Sequence, residues 1–148
     1  MQSVEFSGTE LEARTFFGCN FSQLTFSHGR VAHCTFELCF FQFSSFSDVS
    51  FSDSSFRNCV FACSSFKRIQ FTGSNVIQCN FNGAQASELT FDDCDLLHSR
   101  FDASHLNQTH FENCNLKQVR FLRTSSELVS FHLSNQEDAI FAESTEEW

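Results

Sequence analysis

The chain has 148 residues, no proline, five glycines and a formal net charge of -9, with a pI near 4.9. That length suits one domain, and an acidic balance excludes an ordinary nucleic-acid binder, which needs a basic patch or stripe. No apolar run approaches the ~18 residues of a membrane span. The opening MQSVEFSGTE has neither the basic start nor the apolar centre of a secretory signal. A cytoplasmic protein with no membrane contact is expected.

Along the chain the large apolar residues recur every five positions. The first third places Phe6, Leu11, Phe16, Phe21, Phe26 and Val31 at this spacing. Between Phe36 and Phe71 every fifth residue is Phe without a break. From Phe71 to Phe141 Phe returns every ten residues, with Val76, Ala86, Leu96, Leu106, Leu116, Ser126 and Gln136 between. Of 28 such centres 19 are Phe, and only Phe17, Phe40 and Phe43 lie off the pattern, so the period is not accidental. A helix repeats its apolar face every ~3.6 residues and a strand every ~2. A period of five fits neither.

Fixed-period self-similarity predicts a solenoid whose coils stack over a continuous core. Two residues before each centre the chain is small, as at Thr9, Cys34, Ser44, Val49, Cys59, Ser64 and Ala84, with Arg14 and Gly29 as exceptions. Each pentapeptide therefore sends one large and one small residue inward and three mostly polar residues outward. The ten-residue alternation after Phe71 fixes the coil. If residues twenty apart stack, Phe71, Phe91, Phe111 and Phe131 form one column, and Phe21 through Phe141 form the opposite one. Three sides would mix Phe, Leu and Val in every column, so a four-sided coil of twenty residues is predicted. At the ~4.8 Å strand spacing, about seven coils make a rod some 34 Å long.

Segments such as CNFSQ, CTFEL, CVFAC, CNFNG and CNLKQ resemble the pentapeptide-repeat family over nearly the whole chain. The centre Phe with a Cys two residues earlier is most similar to members that bind DNA gyrase, the quinolone-resistance and microcin-immunity proteins. The resemblance implies an all-β fold, a right-handed quadrilateral parallel β-helix. It also implies a protein partner, a type II topoisomerase, engaged by an acidic rod that imitates DNA.

Seven of the eight cysteines take the small inward slot, and Cys63 alone points outward. Cys19, Cys39, Cys59 and Cys79 then share one column. Parallel side chains in a ladder do not converge on a tetrahedral metal with ~2.3 Å bonds, and parallel Cβ vectors suit a disulfide poorly. Reduced, buried cysteine is expected. His28 and His33, or His105 and His110, fall around a corner from one another and make poor chelators. Asp92 and Asp93 are outward neighbours on a flat side, without the cleft that would shift their pKa values. No phosphate loop or nucleophile–base arrangement is apparent. A protein without enzymatic activity, cofactor or metal is expected.

Two surface features stand out. Assigned to the four sides, the formal charges come to -4, -5, -1 and +1. The two acidic sides adjoin and carry Glu10, Glu12, Asp48, Asp53, Glu88, Asp92, Asp93 and Glu112, of which Asp92, Asp93 and Glu112 are taken as partner-binding residues. The fourth side is uncharged through its first four coils and should expose Phe40, Phe43 and Val60, with Leu38 at the adjoining corner. An exposed apolar cluster marks an interface, so these four are expected to bind a partner or a second copy as a homodimer. Residues 1–134 are expected to form the β-helix and 135–148 a cap or tail. Ser134 and Glu137 match a capping box, predicting a short helix over 135–147, with one further coil through Phe141 as the alternative.

Overall fold

The computed structural model describes residues 4–142, and over that span the chain is a parallel β-solenoid built of four-sided coils. Every strand pairs with the strand twenty residues away, in parallel: Phe26 with Phe46, Phe51 with Phe71, Phe91 with Phe111. The sides are numbered here from the centres at Phe6, Leu11, Phe16 and Phe21.

Sides one and two are continuous strands that run round their shared corner, as in Ser45–Ser52, Ser65–Thr72, Gln85–Asp92 and His105–Glu112. Side three carries short strands, Thr15–Phe17, Thr35–Glu37, Ser55–Arg57 and Asn75–Ile77, and continues through bridges at Asp95 and Asn115. Side four is a ladder of single bridges through Asn20, Phe40, Val60, Asn80, Arg100, Arg120 and Ile140, seven stacked positions with six turns between first and last. At Asn20, Asn80, Asp95 and Asn115, each the residue before a centre, the side-chain oxygen accepts the N–H two residues on, as Asn80 does from Asn82 at 2.8 Å and Asp95 from Leu97 at 3.1 Å. That local bond tightens the side into a turn.

Each corner needs one residue in the left-handed region, and from Gly8 to Leu133 every fifth residue supplies it. Gly8, Gly18, Gly73 and Gly83 do so at no steric cost, but most corners use residues with side chains, among them Asp48, Asp53, Asn58 and Asn113. Asn and Asp tolerate this conformation better than other side-chain residues. The fifth glycine has another reason. A Cβ at Gly29 would lie 2.9 Å from the backbone oxygen of Thr9, so the inward slot there has no room for one.

The core is a set of ring columns. Phe61 stacks on Phe81 with centroids 4.8 Å apart and planes 5° from parallel, and Phe81 on Phe101 at 4.7 Å. Neighbouring columns meet edge to face, as Phe91 and Phe101 do at 82°. Both geometries suit the ring quadrupole, and each adds about 0.5–1.5 kcal/mol beyond burial. From Phe56 to Phe111 the central Phe rings are essentially inaccessible, whereas Phe6 in the first described coil is 38% exposed.

The small slot also satisfies the backbone. Ser64 Oγ donates to the Phe41 carbonyl at 2.7 Å, and Ser99 Oγ to that of Val76 at 2.6 Å. The cysteines repeat the contact with a weaker donor: Cys59 Sγ to the Phe36 carbonyl at 3.4 Å and Cys114 Sγ to that of Phe91 at 3.2 Å.

At the C-terminal end the expected helix is reduced to one 3-10 turn, Gln136–Asp138, and its first residue has no side-chain cap. The capping box does not form because Ser134 is committed to the coil below. Its hydroxyl accepts the Cys114 N–H at 2.9 Å and donates to the Phe111 carbonyl at 3.2 Å. The chain then resumes the coil: Ile140 bridges Arg120, and Phe141 stacks on Phe121 at 5.1 Å. Residues 143–147 of the expected helix lie outside the described residues. Among the described residues no helix is long and apolar enough to cross a membrane.

Candidate functional site

Side two is the acidic face. It presents Glu10, Glu12, Asp53, Asp92, Asp93 and Glu112 against the single Arg30, which leaves a formal net charge of -5. Asp92 and Glu112 are register partners in successive strands, so their carboxylates belong to one outward row. Asp93 sits at the next corner with φ 57° and is exposed. Thus the three partner-binding carboxylates read from the sequence do share one face.

Histidines interleave with this face. Glu112 Oε2 lies 2.8 Å from His132 Nδ1, and Glu12 Oε2 lies 2.9 Å from His33 Nδ1. The other nitrogen of His33 is 3.7 Å from Asp53. Among the described residues no group of three or more His, Cys, Asp or Glu side chains could hold a metal ion.

Side one, whose Glu146 and Glu147 lie outside the described residues, is less acidic over the described span. Its described carboxylates, Glu5, Asp48, Glu88 and Glu127, are opposed by Lys67 and Arg68, leaving -2. Asp48 is moreover occupied, receiving Arg68 Nε at 2.6 Å and Nη2 at 2.8 Å in a forked pair. The hydrogen bonds from that guanidinium hold the Asp48 carboxyl below the usual carboxylate range. Among the described residues side two is therefore the more strongly negative of the two adjoining acidic sides.

Side four presents the apolar patch. Phe43 is 62% exposed, Leu38 44% and Phe40 43%, while Val60 is half-buried. Two coils on, the side becomes charged: Arg120 Nη2 pairs with the largely buried Asp102 at 3.0 Å, and Arg100 stands in the preceding coil with its side chain exposed. Phe17, another off-pattern ring, is exposed on side three.

A shallow groove of about 760 Å³ follows side one over Ala86, Leu106 and Ser126, where the Phe column gives way to smaller residues. Stacking brings together two Ser–His contacts that the linear sequence conceals, His105 Nδ1 with Ser125 Oγ and His110 Nδ1 with Ser130 Oγ. A working triad needs a third group orienting the imidazole. Among the described residues neither histidine has a carboxylate on its other nitrogen. The cysteines are all free thiols. Burial pushes Cys39 and Cys79 up, Cys79 strongly, and the hydrogen bond with Cys114 together with burial raises Cys94. Those thiols stay protonated and unreactive.

Residues 74–147, half of the chain, match the family described as pentapeptide repeat region. The chain belongs to the pentapeptide repeat family. Among solved structures it is similar to full-length QnrB1, a plasmid-mediated fluoroquinolone resistance protein, at 14% identity and TM-score 0.61, covering 89% of this chain and 81% of that one. It is also similar to a pentapeptide repeat protein of the Arabidopsis thaliana thylakoid lumen, at 17% identity and TM-score 0.48, over 76% and 68% of the two chains. A third is HetL of the cyanobacterium Nostoc, involved in heterocyst differentiation regulation, at 12% identity and TM-score 0.44, over 93% and 64%. Among curated proteins no sequence matches this chain. At such identities the likeness to QnrB1 establishes the fold, and a pentapeptide-repeat rod is what this chain shares with it.

Proposed function

We propose that this chain is a non-enzymatic, protein-binding rod whose second side occupies the DNA-binding surface of a type II topoisomerase such as DNA gyrase. The observation that carries this reading is the concentration of charge on side two, net -5 along one face of the rod, opposed by Arg30 alone. Carboxylates in successive coils, such as Asp92 and Glu112, recur at ~4.8 Å, whereas duplex DNA carries one charge per ~1.7 Å. The face is thus a sparse imitation of a phosphate backbone, suited to steering association more than to supplying affinity. A rod of the same fold, QnrB1, is a fluoroquinolone resistance protein, and the sequence resembles the gyrase-binding members of the family.

A second reading is favoured by side four, whose exposed Phe40 and Phe43 have no counterpart on a nucleic acid. It makes the rod a scaffold for an unrelated protein. A gyrase supercoiling assay separates the two. Added at low salt, the protein should inhibit supercoiling or protect the enzyme from quinolone-induced DNA cleavage. If it does neither at any salt concentration, the scaffold reading stands and the mimic reading falls.

A further inference from the structure

Two corners of the rod carry residues that neither the fold nor the solvent accounts for. Leu38 and Phe43 both have left-handed backbones, φ 55° and 60°, and both are exposed. That conformation disfavours a bulky side chain, and exposure removes the burial that would compensate it. Glycine, Asn or Asp would serve the fold better at either position. Among the described residues only Leu128 and Leu133 likewise put a large apolar side chain, exposed, on a left-handed backbone. Phe40 lies between the two corners on the same edge of side four. Natural sequences break local rules of this kind chiefly where function requires it.

The polar atoms of the same side give a second, separate indication. Among the described residues two buried side-chain polar atoms lack a hydrogen-bond partner, Gln42 Oε1 and Arg120 Nε. Native proteins leave few such atoms, and each calls for an explanation. Both are on side four. Gln42 stands between Phe40 and Phe43 in sequence, and Arg120 already grips Asp102 through Nη2, leaving Nε as an unused donor. One end of the face therefore presents exposed apolar side chains above an unmet buried acceptor, and the other the partly exposed Arg120 guanidinium next to the exposed Arg100.

We infer that side four is a docking face for an extended protein segment carrying two apolar side chains at one end and a carboxylate at the other. Four coils separate Phe40 from Arg120 along the ladder, about 19 Å at the strand spacing, which an extended segment spans in about six residues. Its apolar side chains cover Leu38, Phe40 and Phe43, and its carboxylate meets the exposed Arg100 and the exposed part of the Arg120 guanidinium. A second copy of the chain fits less well. The uncharged part of the face is about 19 Å by 10 Å, far below the ~800 Å² per partner of a standard interface. Side four lies opposite side two, so this site is independent of the acidic face and survives if that reading fails.

The test uses fluorescence anisotropy with labelled peptides bearing a Phe–Leu pair and a Glu about six residues away, in both chain orders. Two controls replace the Glu by Gln or the apolar pair by Ser. One order should bind at least about tenfold more tightly than either control, and Arg120→Lys should weaken it several-fold while keeping the charge. Phe43→Asn should abolish binding yet raise Tm by about 2–5 °C, since it relieves the corner. Three results would each overturn the proposal. They are binding indifferent to the Glu, binding unaffected by Phe43→Asn, and a lowered Tm in that variant. Sedimentation showing a wild-type dimer that Phe43→Asn dissolves would assign the face to a second copy instead.

Discussion

Phe71 and Phe91 lie face to face, their centroids 4.9 Å apart and their planes 13° from parallel, although twenty residues separate them in the chain. The pair is one step of a column that continues to Phe111 and Phe131. Phe91 is held by one ring above, one below and edge contacts from Phe81 and Phe101 in the adjacent column. Little space remains for the column to collapse if one ring is removed. Phe91→Ala should therefore cost about 3–5 kcal/mol, the usual range for a buried Phe. Phe17→Ala, one residue from a centre but 67% exposed, should cost far less. A urea denaturation series measures both, and equal costs would contradict the four-sided register.

The small inward slot should distinguish hydroxyl from methyl. Cys59 donates to the Phe36 carbonyl, and Ser99 fills the equivalent slot two coils on with a bond to Val76. Cys59→Ser should therefore fold with a stability within about 1 kcal/mol of wild type. Cys59→Ala, which removes the donor and leaves a void, should lose about 1–2 kcal/mol. Thermal denaturation of the two variants gives the comparison, and an Ala variant as stable as the Ser variant would show the bond to be idle.

Thiol accessibility should follow position along the rod. Alkylation without reductant should modify Cys63 first, then the half-buried Cys19, and the other six only on unfolding. Intact mass spectrometry reads the order directly. A native mass lower by two hydrogens per pair would reveal disulfides and contradict the free-thiol state.

The Asp48–Arg68 pair should shape the acid limb of stability. Arg68 depresses the folded-state pKa of Asp48 below its unfolded value, so the pair stabilises the fold above the ordinary carboxylate pKa of ~3.9. That contribution is lost as the pH falls through the depressed folded value. Asp48→Asn should flatten this part of the profile and leave the neutral-pH side little changed, because exposed pairs contribute modestly there. Denaturation midpoints across the acid range would show it. Identical slopes in both proteins would mean that the pair does not form in solution.

Much of this fold is legible in the linear sequence because a single spacing carries it. Phe at every fifth residue names the inward positions, and the ten-residue alternation after Phe71 distinguishes four sides from three. Exposed Phe40 and Phe43 follow from the same register. The corners were encoded as well: Gly8, Gly18, Gly73 and Gly83 all fall two residues after a centre, the slot that requires a left-handed backbone. The hydroxyl and thiol bonds of the small slot are hinted at by the exchange of Ser and Cys there, both of which donate.

What the sequence obscured depends on partners in other coils. Ser134 reads as a helix cap until the carbonyl of Phe111 and the N–H of Cys114 are placed beside it. Asp48 counts as a free negative charge until Arg68, twenty residues on, stacks against it. Contacts that also step sideways, as between Glu12 and His33 at a separation of 21, follow no fixed interval. On side one the Asp48–Arg68 pairing takes up one carboxylate of the face, and Glu146 and Glu147 lie outside the described residues.

The central claim is that side two carries the function through its charge, and association kinetics against salt test it most directly. Asp92, Asp93 and Glu112 replaced together by Asn, Asn and Gln should slow association with gyrase and flatten its dependence on ionic strength. Dissociation and thermal stability should change little, because Asp93 is exposed, Asp92 and Glu112 are half-exposed, and the one close partner among them, His132 beside Glu112, is itself exposed. Arg100→Gln on the opposite side should leave the kinetics as they are. The account predicts a wild-type association rate that falls steeply with added salt and a triple variant that is slower and less sensitive. Equal rates and equal salt slopes for the two proteins, or no association at any salt, would contradict it.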